Sequence, residues 1–155
     1  MALKLRTPMP ELSGATEWLR GEALSPEALK GHVTLVHFWA ISCNVCKPHL
    51  PTINEWKKKY EGQGVRFVSV HMPRREEDTD VEAVKKAIEA YGIEHPTAVD
   101  NMHGVTDAFQ NEYVPAYYVF DEQGQLRLYM SGEKVLPNVQ QTIERLVAAQ
   151  QAAAS

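Results

Sequence analysis

Val33-Thr34-Leu35-Val36-His37-Phe38-Trp39 is an almost unbroken apolar, β-branched run. A strand with one face in water alternates apolar and polar side chains, whereas a strand covered on both faces does not. The run therefore predicts a central strand buried on both sides. The chain then breaks into Ala40-Ile41-Ser42-Cys43-Asn44-Val45-Cys46 and continues as a helix ending near Lys57-Lys58-Lys59-Tyr60. Cationic side chains in its last turn, with Gly62 and Gly64 just beyond, are helix stop signals.

The rest of the chain alternates in the same way. Residues 65–71 read as a second strand. A helix is predicted from Asp78 to Tyr91, with Val81, Val84, Ile88 and Tyr91 on one face and Gly92 at its end. Residues 97–100 suit a short strand and residues 106–113 a short helix. Residues 116–121 and 125–130 flank a Glu122-Gln123-Gly124 turn as an antiparallel hairpin. A final helix is expected over residues 137–150, with Val139, Ile143, Leu146 and Val147 inward. Upstream, the segment to residue 31 is punctuated by proline and glycine, with Ser25 capping a short turn that begins at Pro26. Strand, crossover helix and strand demand a parallel pair, and the closing hairpin demands an antiparallel edge. The expected class is α/β: a mixed central sheet flanked by helices. A length of 155 residues fits one domain. It divides into an extension over 1–31 packed on the domain, the domain proper over 32–150, and a frayed tail over 151–155.

Cys43 and Cys46 are the only cysteines. They are too close in sequence to staple a long loop, and two thiols cannot make a four-cysteine zinc site. A lone C-x-x-C without a secretion signal reads first as redox chemistry. Placed where a buried strand meets a helix N-terminus, the Cys43 thiol has a lowered pKa. Cys46, one turn further in, can reach back to close a disulfide, with the nucleophile outside and the resolving thiol inside. The plainer alternative is a pair of small buried residues without chemistry. A net charge of −4 argues against an electrostatically driven nucleic-acid or anionic-membrane binder. No apolar run approaches the roughly 18–20 residues of a spanning helix. The opening MALKLRTPMPELSG lacks the apolar core and cleavage site of a signal peptide. The expected location is the cytoplasm.

The stretch from Phe38 to Pro51, FWAISCNVCKPHLP, resembles the active-site segment of the thioredoxin superfamily. Leu29-Lys30-Gly31-His32-Val33 before it and Val114-Pro115-Ala116 after it narrow the resemblance to TlpA/ResA-like thiol-disulfide oxidoreductases. It extends from about Leu12 to Leu146. The resemblance implies a thioredoxin fold with an N-terminal extension and an inserted helix near residues 78–91. It implies that Cys43 attacks, Cys46 resolves, Trp39 packs beside the disulfide and Pro51 kinks the helix. It further implies a cis Pro115 that sets the Val114 backbone beside the sulfurs to pair with substrate. From the residues alone, Val-Pro-Ala is only a strand-entry proline. Many members carry proline where this chain has Val45, and often tryptophan where it has Ser42.

Two histidines occupy acid–base positions of the family. His37 stands where thioredoxins place a buried aspartate, and His49 where several TlpA/ResA-like reductases place a glutamate. Imidazole suits proton transfer to or from the resolving thiol, because its ordinary pKa of about 6.5 brackets working pH. The alternatives are a core histidine bonded to backbone for His37 and a surface helix residue for His49. Two thiols beside histidines also suggest a Cu(I)- or Zn-binding metallochaperone built on Cys43, Cys46 and a nearby histidine. A thiol peroxidase is a weaker reading, because the Pro-x-x-x-Thr/Ser-x-x-Cys arrangement is absent ahead of Cys43. Arg74 and Arg75, followed by Glu76, Glu77 and Asp78, read as a solvated helix start. Tyr117 and Tyr118 read as core or sheet-face residues; His95, Met102 and His103 have no assigned partner. The favoured reading is an enzyme without an organic cofactor that reduces protein disulfides. An upstream dithiol or flavin reductase recharges it, and it needs neither nucleic acid nor membrane.

Overall fold

The computed structural model describes residues 3–154. Six strands are β1 (Glu17–Leu19), β2 (Thr34–Trp39), β3 (Arg66–His71), β4 (Thr97–Val99), β5 (Ala116–Phe120) and β6 (Leu126–Ser131). The helices are α1 (Pro26–Leu29), α2 (Cys46–Tyr60), α3 (Val81–Tyr91), α4 (Gly104–Phe109) and α5 (Leu136–Ala154). The strands form one mixed sheet in the order β1-β4-β3-β2-β5-β6. β2, β3 and β4 are parallel neighbours, while β5, β6 and β1 run antiparallel to theirs.

All six residues of β2 are buried, as its lack of alternation requires. Strand geometry sends successive side chains to opposite faces. Leu35 and Trp39 join a core cluster with α2, α3 and α5, and Val36 and Phe38 join a second with α4, Leu29 and the N-terminal segment. The helices buried with Leu35 and Trp39 contribute one face each. On α2 that face is Cys46, His49, Leu50, Ile53, Trp56 and Tyr60. Full burial of each large apolar side chain is worth roughly 1.5–3 kcal/mol, so this stripe fixes α2 against the sheet. Pro51 lies inside α2, where its missing N–H cannot bond the Lys47 carbonyl.

Three expectations change. The N-terminal extension contributes β1, paired antiparallel with β4, and a bridge between Pro8 and Gln125 near the hairpin. Thr16 reinforces the β1 edge by donating both its N–H and its hydroxyl to the Val99 carbonyl. Residues 1 and 2 of the extension lie outside the described residues. Residues 151–154 are helical in the structure, α5 continuing to Ala154 through helix-favouring alanine and glutamine. Ser155 lies outside the described residues. Helix α3 begins at Val81, with the Asp80 carboxylate accepting from the Glu82 and Ala83 N–H groups. Asp78 lies before it in a separate short turn and is buried.

Candidate active site

The carboxyl end of β2 delivers Trp39, and seven residues later α2 begins. In the intervening turn, the Cys43 N–H donates to the Ala40 carbonyl at 3.0 Å. The Cys46 N–H donates to Cys43 Sγ at 3.1 Å. The two cysteines are joined as a disulfide with Cα atoms 5.3 Å apart. Cys46 is the first residue of α2 and not one turn inside it. Nor is the nucleophile outside: Cys43 is 2% exposed and Cys46 1% in the disulfide form. Both pack in the cluster that holds Trp39, with half-buried Ile41 and Val114 against it. The Val114–Pro115 peptide is cis, as the family resemblance implies. Trp39 is fixed by donating its indole N–H to Ser69 Oγ at 2.6 Å and by its ring edge on His71, 4.9 Å between centroids.

Two sets of polar side chains surround this turn. The first binds it to the β3–α3 connection. The Ile41 N–H donates to His71 Nε2 at 3.0 Å, so that nitrogen is bare and His71 carries its proton on Nδ1. Burial pushes His71 down to about 4, against the opposing pull of Asp78, and it stays neutral at pH 7. Ser42 Oγ donates to Asp78 Oδ2 at 2.7 Å, and the Arg74 N–H donates to the same oxygen at 3.0 Å. The Arg74 guanidinium returns to Ser42 Oγ at 3.1 and 3.3 Å. Burial works to raise the Asp78 carboxyl, but hydrogen bonds from Ser42, Arg74 and Arg75 hold it below the ordinary range. The charged run after His71 is therefore not a plain solvated helix start. Arg74 and Asp78 hold the residue directly before Cys43. Their place at the end of a β-strand was the available clue; the helix-start pattern of the acids concealed it.

The second set joins α2 to β2 and β5. His49 is 5% exposed, so it is no surface residue. Its Nε2 faces the Glu133 carbonyl at 3.0 Å, and a carbonyl only accepts, so Nε2 carries the proton. Its Nδ1 must then accept, and it lies 2.7 Å from the Tyr117 hydroxyl, which donates. Both nitrogens of His49 are thus engaged. Burial lowers its pKa, opposed by the Glu133 backbone. His37 stands opposite Tyr117 in the β2–β5 register, with the rings stacked at 6.3 Å. Its Nε2 lies 2.8 Å from Nε2 of His95, so one imidazole donates and the other accepts. Burial, then the neighbouring His95 and His49, push His37 well below its ordinary value. His37 bonds a side chain and not backbone at that nitrogen. Nothing in the sequence pattern around His95 points to this pairing, because it joins residues 58 apart.

Among the described residues, no group of three or more His, Cys, Asp and Glu is arranged to hold a metal ion. The cysteines are bonded to each other, both His49 nitrogens are occupied and His37 is turned to His95. The donor set does not fit the metallochaperone reading. No described helix is long and apolar enough to cross a membrane.

Comparison with known proteins gives a consistent result. The sequence profile of the AhpC/TSA family matches residues 5–129. The thiol-disulfide oxidoreductase YkuV of Bacillus subtilis (strain 168) is 45% identical over 146 residues, covering 94% of this chain and 98% of that protein. The thiol-disulfide oxidoreductase ResA of Bacillus thuringiensis (strain Al Hakam) is 24% identical over 128 residues, covering 83% of this chain and 71% of that one. A thioredoxin-like protein solved in solution in its oxidised form superposes with a TM-score of 0.87 at 44% identity, covering 95% of this chain and 99% of that structure.

Proposed function

The chain belongs to the AhpC/TSA family as a thioredoxin-like thiol-disulfide oxidoreductase, and from that premise we propose that it is a reductant of protein disulfides. In the reduced enzyme the Cys43 thiolate attacks one sulfur of the substrate disulfide. A mixed disulfide forms and the first substrate thiolate leaves. Cys46 then gives its proton to a base and attacks Cys43 Sγ, releasing the second substrate thiolate and closing the Cys43–Cys46 bond. Two electrons pass from the cysteine pair to the substrate, and one proton passes from Cys46 to the base. His37 and His49 are the two candidates for that base, His49 with both nitrogens engaged and His37 with its Nε2 on His95.

The direction of electron flow is supported by the burial of both sulfurs. A low-dielectric surrounding disfavours the thiolate and leaves the neutral disulfide comparatively stable, which favours giving electrons away. The Cys46 N–H on Cys43 Sγ works the other way, but it is a single donor. Val114, presented by the bond before Pro115, supplies the backbone beside which a substrate strand pairs, and Trp39 its apolar floor. The reading places the enzyme in the cytoplasm, recharged by an upstream dithiol or flavin reductase.

The burial of the redox pair carries this reading, and its midpoint potential tests it. Glutathione titration with alkylation and intact mass is expected to give a value near the roughly −270 mV of thioredoxin. A value near the roughly −120 mV of strong oxidants would reverse the direction. Cys43→Ser is expected to abolish insulin-disulfide reduction, and Cys46→Ser to accumulate a mixed disulfide visible by intact mass. Turnover by either variant would overturn the roles given to the two thiols.

A further inference from the structure

Arg74 leaves the carboxyl end of β3 and places an exposed cation against the redox turn. Its Nε and Nη2 donate to Ser42 Oγ at 3.3 and 3.1 Å, and Ser42 is joined directly to Cys43. A guanidinium carries five N–H donors in a planar fork, so Nη1 and the second N–H of Nη2 are left over. Among the described residues these donors have no partner, and no carboxylate pairs with Arg74. The acids next in sequence do not fill that place. Asp78 gives its Oδ2 to the Ser42 hydroxyl and to the Arg74 N–H, while Glu76 and Glu77 are exposed without ion pairs among the described residues. The two other cations nearby differ from Arg74. Lys47 bonds Asn44 Oδ1 at 3.3 Å, and the exposed Arg75 side chain is anchored to nothing among the described residues. An anchored arginine has already given up much of its rotamer freedom, so a ligand that takes the remaining edge of the fork meets a prepared site.

We propose that Arg74 selects the substrate, pairing with an aspartate or glutamate that lies beside the cysteine whose disulfide Cys43 attacks. The substrate class is then an acid-flanked protein disulfide in an extended segment. Strands β2 and β3 end at the same edge of the sheet at which antiparallel β5 begins. The order β3-β2-β5 therefore sets Arg74 on one side of the redox turn. Val114 lies on the other side, preceded by Tyr113, which is 61% exposed. A segment seated on the Val114 backbone with its sulfur at Cys43 has Arg74 along its far margin. An extended chain advances about 3.3 Å per residue, so the matching carboxylate belongs within about two residues of the cysteine. A carboxylate meets the Nη1–Nη2 edge with two parallel hydrogen bonds, the arrangement that gives arginine its directional preference. The net charge of −4 works against acidic partners at long range. The preference is therefore local to Arg74 and does not follow from the field of the whole molecule. The inference rests on the reading of the chain as a reductant of protein disulfides and gives that reading a substrate class. Arg74 determines specificity within it and takes no part in the exchange of bonds.

The test uses two blocked pentapeptides, each as its disulfide dimer, alike except for aspartate or asparagine on both sides of the central cysteine. The second-order rate of oxidation of the reduced protein by each is read by acid quench, alkylation and intact mass. The quantity of interest is the ratio of the aspartate rate to the asparagine rate. Comparing that ratio between protein variants cancels the intrinsic reactivity of the peptides, and also any loss that both share when Ser42 is loosened. The ratio should fall about fivefold from native protein to Arg74→Gln, the upper range for an exposed ion pair. Arg74→Lys, a charge without the fork, should keep part of it, and Arg74→Glu should push it below the Arg74→Gln value. Raising the salt concentration should shrink the native ratio toward that of Arg74→Gln. An equal ratio in native protein and Arg74→Gln would overturn the proposal and leave the reductase reading standing. Reduction of insulin but of neither peptide would overturn it as well. Failure with insulin and both peptides would remove the reductase reading and the proposal together.

Discussion

Asp78 shows how much one buried carboxylate can organise. Its Oδ2 accepts from Ser42 Oγ and the Arg74 N–H, so a single atom holds the β2–α2 turn against the chain leaving β3. Asp78→Ala removes the acceptor of both half-buried bonds, and losing a hydrogen bond to a charged group costs about 1.5–3 kcal/mol. Urea unfolding should register a loss of about that size, and the rate of Cys43 attack should fall as Ser42 is released. An unchanged urea midpoint would mean that water replaces the carboxylate without penalty. Tyr117→Phe is the complementary case between α2 and β5. It removes the hydroxyl that occupies His49 Nδ1, so stability should fall by about 1 kcal/mol while the freed imidazole becomes open to titration. Histidine ring NMR shifts across pH 5–8 would reveal whether His49 then takes up a proton. At this scale the sequence was legible for Cys43 and Cys46 from their spacing, and for cis Pro115 only through the family resemblance, since the residues alone gave a strand-entry proline. Asp78 and His95 were not, because their roles come from partners brought close only by the fold.

Among the elements, legibility follows burial pattern. β2 announced itself because a strand covered on both faces needs apolar residues at every position. β1 did not, since three residues carry no measurable alternation and its place is set by contacts with β4. The end of α5 was misread for the opposite reason: helix propensity, and not composition shift, governs where it stops. One contact secures the N-terminal segment more firmly than its irregular sequence suggests. Gly14 approaches Gly104 so closely that a Cβ on Gly14 would lie 2.7 Å from the Gly104 carbonyl carbon, and a Cβ on Gly104 would lie 2.7 Å from the Gly14 oxygen. The obstacles are backbone, so neither side can yield by changing rotamer. Gly14→Ala should therefore destabilise the protein by about 1–3 kcal/mol, the usual cost of overpacking. Faster amide exchange in β1 than in β2 would locate the damage at this edge, whereas native exchange in β1 would contradict the clash.

For the whole molecule, the buried histidines dictate how stability depends on pH. In the unfolded chain His71 and His95 take up protons near 6.5, but in the folded protein only near about 4 and about 3. Between those values the unfolded state binds more protons, so stability is fully present above pH 7 and falls as pH drops from 6.5 toward 4. Each histidine contributes about 1.4 kcal/mol per pH unit over that window. Asp78, whose folded pKa is lowered, remains charged throughout it and adds no opposing slope. Urea midpoints measured from pH 7.5 to pH 5 should decline steeply; a flat profile would mean that these rings are protonated in the native state or reach solvent. The near-complete cover over both sulfurs has a separate consequence, for traffic. An electron carrier surrounded by small thiols leaks unless its terminals are shielded. Here the half-buried Ile41 and Val114 pack against the cluster that holds both sulfurs. Access to the redox pair therefore depends on moving this apolar cover.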